Sequence, residues 1–336
     1  MIWNTFCTAG RDLLSPTGFK VILRGINLPL LDDWAFPGSD KLADLEKQLP
    51  NCVRIQWYVN YPTPARPAYT LADLDGFLTR CAALRVLPIL GLWDLTCEAD
   101  ADRLNTDLIA WWTDPAVVAV LNAHRDYLII NPANELGAFH WAGDPTAALT
   151  AYRDAYATAL VSLRAAGLEM PVMIDAPDCG ISLDAFTTVL DPVPGTCVGQ
   201  QLIDADPLHN VVLSAHAYWA GTDYMDAIDD AVALNLPFVM GEVANKQADG
   251  GDECHFGIDG THLNADPPTG FKYQDLLTKL LAIDIGWLAW SWNPDGCPAR
   301  NMAKYDATGI FTGLTPYGED IANNIAYGLK ATAVRF

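Results

Sequence analysis

In the stretch Tyr127-Leu128-Ile129-Ile130-Asn131-Pro132-Ala133-Asn134-Glu135, an unbroken apolar run gives way within a few residues to a proline, two amides and a carboxylate. Continuous apolar runs, as opposed to alternating ones, are the pattern of parallel strands covered on both faces. The pattern recurs in Phe238-Val239-Met240-Gly241-Glu242, which again ends on a glutamate. Further β-rich runs occupy residues 19–25, 52–56, 86–92, 172–175, 211–216 and 286–292. With residues 127–131 and 238–241 they make eight, their starts spaced on average about 38 residues apart, the cadence of strand–loop–helix–loop units.

Amphipathic stretches at 71–84, 147–166 and 273–282 lie between the runs and read as helices. Eight such units with no Ser/Gly-rich linker predict an α/β chain folded as one (β/α)8 TIM barrel, residues 1–336 forming a single catalytic domain without a separate binding module. The 336 residues would also hold two average domains. A doubly wound open sheet is the competing architecture, although the Gly-x-Gly-x-x-Gly turn of its dinucleotide-binding version is missing.

In a barrel, chemistry sits at the carboxyl ends of the strands. The second run carries Arg54, the third leads into Trp93-Asp94, and the fourth into Asn134-Glu135. The sixth delivers His216-Ala217-Tyr218-Trp219, the seventh Glu242, the eighth Trp290-Ser291-Trp292-Asn293. A carboxylate just past a buried strand is costly unless something pairs with it or uses it. Glu135 and Glu242, three units apart, would enter one mouth from opposite sides. Two carboxyl groups about 5–5.5 Å apart suit retaining glycoside hydrolysis; the other reading is two structural carboxylates paired with Arg54.

Composition narrows the partners. Apolar residues make up 51% and charged residues 18%, which excludes a disordered chain. A net charge of -21 disfavours nucleic acid and anionic membrane surfaces, while a neutral polymer is compatible with it. No run reaches the roughly 18 apolar residues of a membrane-spanning helix. The Met1-Ile2-Trp3-Asn4 start reads as a mature protein placed behind a start codon, its export signal removed. None of the eight cysteines forms a Cys-x-x-Cys pair. Cys97, Cys179, Cys197, Cys254 and Cys297 lie in polar stretches that suit disulfides of an exported protein, whereas Cys52 and Cys81 have apolar surroundings and read as buried thiols.

The motifs Ile130-Asn131-Pro132-Ala133-Asn134-Glu135, Phe238-Val239-Met240-Gly241-Glu242 and Gly286-Trp287-Leu288-Ala289-Trp290-Ser291-Trp292 together resemble glycoside hydrolase family 5. The stretches Leu23-Arg24-Gly25-Ile26-Asn27, Met173-Ile174-Asp175-Ala176-Pro177 and Leu213-Ser214-Ala215-His216-Ala217-Tyr218 are similar to its bacterial β-mannanase branch. The resemblance implies a retaining endo-acting hydrolase of a β-1,4-linked polysaccharide, mannan or glucomannan first and a β-glucan as the alternative. It implies Glu135 as acid/base, Glu242 as nucleophile and Arg54 as the cation that keeps the nucleophile ionised. Asn134 matches the residue that hydrogen-bonds the sugar 2-hydroxyl, Tyr218 the hydroxyl on the nucleophile, and His216 the histidine before it. Trp290 matches the sugar platform, with Trp292 as the fallback. Where the family often has a histidine at the end of the third strand, this chain has Trp93, a candidate sugar contact.

Trp34, Trp57, Tyr58, Tyr61, Trp141 and Trp219 are further rings that could line a cleft, while Trp111-Trp112 reads as packing. The acidic stretch 245–270 could hold calcium or be stapled by a Cys254–Cys297 bridge. The expected chemistry needs no cofactor and no metal, and the expected state is a secreted monomer acting on a β-linked polysaccharide or oligosaccharide. A non-catalytic carbohydrate-binding barrel and an α/β dehydrogenase or aldolase are the readings from other classes. The first should lack one carboxylate or Arg54, and the second should show a glycine-rich phosphate turn or a strand-end lysine.

Overall fold

The computed structural model describes residues 4–29, 40–60, 69–190, 195–218, 224–246, 272–293 and 295–336. Eight parallel strands close a barrel: β1 (Arg24–Leu28), β2 (Cys52–Trp57), β3 (Leu87–Leu92), β4 (Ile129–Asn131), β5 (Val172–Asp175), β6 (Val211–Ala217), β7 (Phe238–Val243) and β8 (Gly286–Ala289). Each pairs with its neighbours in sequence, and β8 closes onto β1 through Trp287 opposite Arg24. The helices at Leu71–Leu84 and Tyr273–Ala282 have the expected bounds, and the third runs Pro145–Ala165. Thr70 starts the first of these by accepting from Asp73 N, while Asp73 accepts from Thr70 N, a reciprocal cap. Among the described residues, no helix is long and apolar enough to cross a membrane.

The first barrel strand departs from expectation. Residues 19–25 read as one strand, but Lys20–Val21 pairs antiparallel with Asp12–Leu14, which pairs with Cys7–Ala9. The barrel strand begins only at Arg24. Apolar content alone cannot distinguish two short strands in different sheets from one longer strand.

Strand parity decides what faces inward. On β2, Val53, Ile55 and Trp57 belong to the layer against the helices, while Cys52 belongs to the barrel interior. Leu23, Cys52, Leu87, Ile89, Ile129, Met173, Val212, Val239 and Leu288 form one buried interior cluster with Phe6 and Leu13. Two residues further along the same faces, the side chains become polar: Arg54 above Cys52, Asn131 above Ile129 and Asp175 above Met173. The barrel therefore has an apolar floor and a buried polar ceiling, and the ceiling is at the carboxyl ends of the strands.

Parity also corrects two expectations about rings. Trp57 is buried on the helix side with Val53 and Ile55 and is not a cleft ring. The β8 strand ends at Ala289, so alternation does not carry on to Trp292. Trp292 is fully buried against Phe311 and donates from Nε1 to the Tyr305 hydroxyl at 2.8 Å, which removes it as a fallback platform. Trp112 is packing, as expected, its Nε1 donating to Pro132 O. Trp34, Tyr61, Trp219 and most of the 245–270 stretch lie outside the described residues.

Cys97 and Cys179 form a disulfide across 82 residues of sequence. Cys297 is also a disulfide half, while the suggested partner Cys254 lies outside the described residues. Cys52 and Cys81 are buried thiols as expected. Cys197, expected in a bridge, is a buried free thiol: it opens the helix Val198–Ala205 packed against the barrel, so its polar sequence neighbours misled.

Candidate active site

Arg54 is the centre of the polar ceiling. Its fully buried guanidinium donates from Nη1 to Glu242 Oε1 at 2.6 Å and to Asn27 Oδ1 at 3.2 Å. From Nη2 it donates to Asn134 Oδ1 at 2.6 Å, Asp175 Oδ2 at 2.7 Å and Asn131 Oδ1 at 2.8 Å. Register makes this possible: Asn27 on β1 is the direct partner of Arg54 on β2. Burial alone would lower the Arg54 pKa, but Asp175, Glu242 and Glu135 reverse the effect and raise it.

Glu242 is placed by a bulge. On β6 and β7, Met240 pairs with Ala215 and Glu242 with the next residue, His216, so β7 carries one extra residue at Gly241. A Cβ at Gly241 would lie 2.2 Å from Ser214 Oγ, so a larger residue in the bulge would have to displace that buried hydroxyl. The bulge turns Glu242 inward beside His216, where the Tyr218 hydroxyl donates to its Oε2. Burial pushes the Glu242 carboxyl up to about 7; His216 and Arg54 pull it down and Glu135 adds to the rise. Arg54 and His216 thus work against the desolvation that raises this carboxyl.

Glu135 is held differently. It lies four residues beyond β4 in the left-handed backbone region, with φ +50°. Its Oε1 accepts from His216 Nδ1 at 2.6 Å, and its backbone N–H donates to Asp175 Oδ2 at 3.3 Å. Its Oε2 lies 3.4 Å from Cys97 Sγ, a disulfide sulfur with no proton to donate. One oxygen of Glu135, one of Glu242 and a ring nitrogen of His216 all lie within 4.8 Å of one another.

His216 bridges the acids. Besides Glu135, its Nδ1 lies 3.7 Å from Glu242 Oε2, and its Nε2 lies 3.5 Å from Asp175 Oδ1, an ion-pair distance without hydrogen-bond alignment. Burial would lower its pKa, but Glu242 and Asp175 reverse this and raise it to about 10. The same two-carboxylate, one-imidazole set could ligate a cation in another protonation state. With His216 charged and Arg54 adjacent, positive charge is already supplied.

The remaining expected residues converge on the same mouth. Asn134 is fully buried, accepting from Arg54 and donating to Thr96 Oγ1 at 3.0 Å, which leaves one amide N–H. Trp290 donates from Nε1 to Asp295 Oδ2 at 2.5 Å. Trp93 stacks on Trp290, with ring centres 5.0 Å apart and planes 20° from parallel, and Arg54 Cζ lies 5.1 Å from the Trp93 ring centre. Gly91 makes room for it, since a Cβ there would lie 3.2 Å from Trp93 Nε1. Tyr58 is half-buried and accepts from Gln56 Nε2, whereas Trp141 is 58% exposed.

Asp175, Asn131, Asn27 and the Cys97–Cys179 bridge belong to this cluster and were not singled out from sequence. Asp175 carries the signal used for the two glutamates, a carboxylate ending a buried run. Cys97 and Cys179 each read as disulfide cysteines, but nothing local in the sequence pairs them.

A (β/α)8 barrel with two close carboxyl groups of different surroundings at its mouth suits glycoside hydrolysis, and the chain's relatives are glycoside hydrolases. Residues 14–296 match the model of Cellulase (glycosyl hydrolase family 5), and the chain belongs to that family. It is 26% identical over 98% of its length to a mannan endo-1,4-beta-mannosidase of Cellvibrio japonicus, 68% of which is covered. It is also 26% identical over 98% of its length to one of Salipaludibacillus agaradhaerens, 94% covered. A β-mannanase of Streptomyces thermolilacinus, solved with mannohexaose, shares the fold with a TM-score of 0.75 at 22% identity, covering 98% of this chain and 97% of that one.

Proposed function

We propose that the chain is a retaining endo-β-1,4-mannanase, a single catalytic barrel that hydrolyses mannan or glucomannan outside the cell as a monomer. The observation that carries the mechanism is the pair of carboxyl groups, with oxygens within 4.8 Å and different partners. This suits double displacement better than the wider spacing of about 6.5–9.5 Å that admits a water in inverting enzymes. Glu242 attacks the anomeric carbon while Glu135 gives its proton to the departing glycosidic oxygen. In the second half Glu135 takes a proton from water, the water oxygen attacks the anomeric carbon, and Glu242 leaves.

Arg54 and Tyr218 hold the two oxygens of Glu242 in line, and His216 fixes the acid/base carboxyl. Asn134 has one N–H to offer the sugar 2-hydroxyl, and Trp290 with Trp93 lines the subsite at the cleaved bond. Mannan is favoured because curated relatives covering nearly the whole chain are named mannan endo-1,4-beta-mannosidase. A β-1,4-glucanase is the second reading, supported by a relative named Beta-mannanase/endoglucanase A. Action outside the cell is supported by the disulfide chemistry at Cys97, Cys179 and Cys297.

The test is release of reducing ends from mannan, glucomannan, carboxymethyl cellulose, mixed-linkage glucan and xylan, with the first-formed anomer read by NMR. Mannan or glucomannan should be cut fastest and the new end should appear as the β anomer. A preference for carboxymethyl cellulose would move the substrate to glucan. First appearance of the α anomer would overturn double displacement, and no cleavage of any polymer would leave a binding barrel.

A further inference from the structure

We infer that the Cys97–Cys179 disulfide is a positioning element for the acid/base: it fixes the Glu135 carboxyl and, among the described residues, keeps its substrate-facing oxygen free of protein donors. The inference rests on Glu135 being the proton donor, as proposed above. Cys97 lies in the loop after β3 and Cys179 in the loop after β5. The loop that carries Glu135 follows β4, between them, so the bridge bolts the flanking loops together across it.

The bolted loops grip that segment at several points. Cys97 N donates to Glu135 O at 3.1 Å, Gly137 N to Glu98 O at 2.7 Å and Asp178 N to Gly137 O at 2.9 Å. The Asp178 carboxylate accepts from Phe139 N and His140 N, each at 2.8 Å. Cys97, Glu135, Asp178 and Cys179 all have positive φ, between +50° and +60°. Four non-glycine residues in that region persist together only where the surroundings over-determine them, and a covalent bond between the outer loops does so.

The sulfur chemistry adds a second reason. His216 occupies Oε1 of Glu135, which leaves Oε2 to meet the leaving oxygen. Among the described residues, Oε2 lies beside Cys97 Sγ at 3.4 Å. In a disulfide this atom is neutral and without hydrogen, so it excludes water without donating to the carboxylate. A thiol or hydroxyl at the same place would donate, and would compete with the substrate for that oxygen.

A merely structural bridge would lower all turnover alike, whereas a bridge acting through the acid should matter only when the leaving group needs a proton. The C97A/C179A pair is therefore measured on the best-cleaved oligosaccharide of the panel and on the matching 2,4-dinitrophenyl glycoside, whose leaving group departs unprotonated. E135A runs beside it, and thermal unfolding is recorded for each protein. General acid catalysis contributes about 10²–10⁴-fold, so kcat on the oligosaccharide should fall ~30-fold or more, while the glycosylation rate on the activated substrate changes less than about threefold. Should the alanine pair not fold, C97S/C179S carries the same expectation, with the greater oligosaccharide loss because its hydroxyl donates. Equal losses on both substrates, or none on either, overturn the inference provided E135A shows the selective loss. If E135A itself loses both alike, the reading of Glu135 as the acid has failed.

Discussion

Replacing Arg54 by Met keeps most of the side-chain length and removes the charge that organises the barrel mouth. Five hydrogen bonds go with it, to Asn27, Asn131, Asn134, Asp175 and Glu242. Asp175 and Glu242 are then left in a buried layer with the imidazolium of His216 beside them. Removing one partner of a buried ion pair costs about 3–5 kcal/mol, because the other charge stays desolvated. At this chain length each kcal/mol moves the midpoint by about 1.4 °C, so Tm should drop by ~4–7 °C near pH 8. The pH dependence is the sharper test. Arg54 lowers the folded-state pKa of both carboxyls, so removing it raises both. A carboxyl with a raised folded pKa is less costly when protonated, so the penalty should shrink between pH 8 and pH 5. The assay is denaturant unfolding of both proteins at those two pH values, with CD as the probe. A penalty under about 1 kcal/mol, or one equal at both pH values, would refute the view that charge compensation by Arg54 holds the layer together.

Other perturbations separate the roles of its neighbours. Glu242→Gln should reduce turnover by at least ~10⁴-fold while oligosaccharide affinity by calorimetry stays within a few-fold, because the amide keeps the volume but cannot attack; near-normal kcat would remove Glu242 from that role. In Glu135→Ala, azide should restore turnover of an activated glycoside and yield the β-glycosyl azide; an α product would contradict two displacements. Because Glu242 ionises only near pH 7, the acid limb of kcat/KM should lie near neutrality, and Arg54→Met should move it upward; a limb near pH 4.5 in the wild type would contradict the burial effect. Gly180→Ala places a Cβ 2.4 Å from His216 Nδ1 at φ +80°, which should displace the ring and cost roughly 10²-fold in kcat. An unchanged kcat there would show that His216 does not position Glu135.

Much of this was legible because a barrel strand advertises itself twice, by a continuous apolar run and by the polar residue that ends it. Arg54, Glu135 and Glu242 were readable as charges that a buried run tolerates only with a partner. Asp175 obeys the same rule at the end of β5 and could have been found by it. Strand parity would also have placed Trp57 outside the barrel, since it shares a face with Val53 and Ile55. What could not be read is what depends on distant segments meeting. Lys20–Val21 became part of a separate sheet because Asp12–Leu14 was there to pair with it. The Cys97–Cys179 bridge spans 82 residues and links loops that only barrel closure brings together. Trp93 was visible as a departure from the family pattern, but its stacking on Trp290 depends on how β3 and β8 end around the mouth.

The two glutamates reach one cleft by different means, and the difference itself argues for their roles. Glu242 sits on a strand, its direction fixed by the bulge at Gly241, and its side chain is only 2% exposed with protein donors on both oxygens. Glu135 stands on a left-handed loop position, its side chain is 11% exposed, and one oxygen faces a sulfur that cannot donate. A nucleophile must arrive at one carbon along one line, which favours a carboxylate clamped at both oxygens to a rigid sheet. An acid/base must exchange its proton first with the leaving sugar and then with water, which favours partial exposure and an oxygen left free. Exchanging the roles would ask the clamped, buried carboxyl to deliver a proton while Arg54 and Tyr218 hold both its oxygens. The asymmetry of partners thus supports Glu135 as acid/base and Glu242 as nucleophile without appeal to any relative.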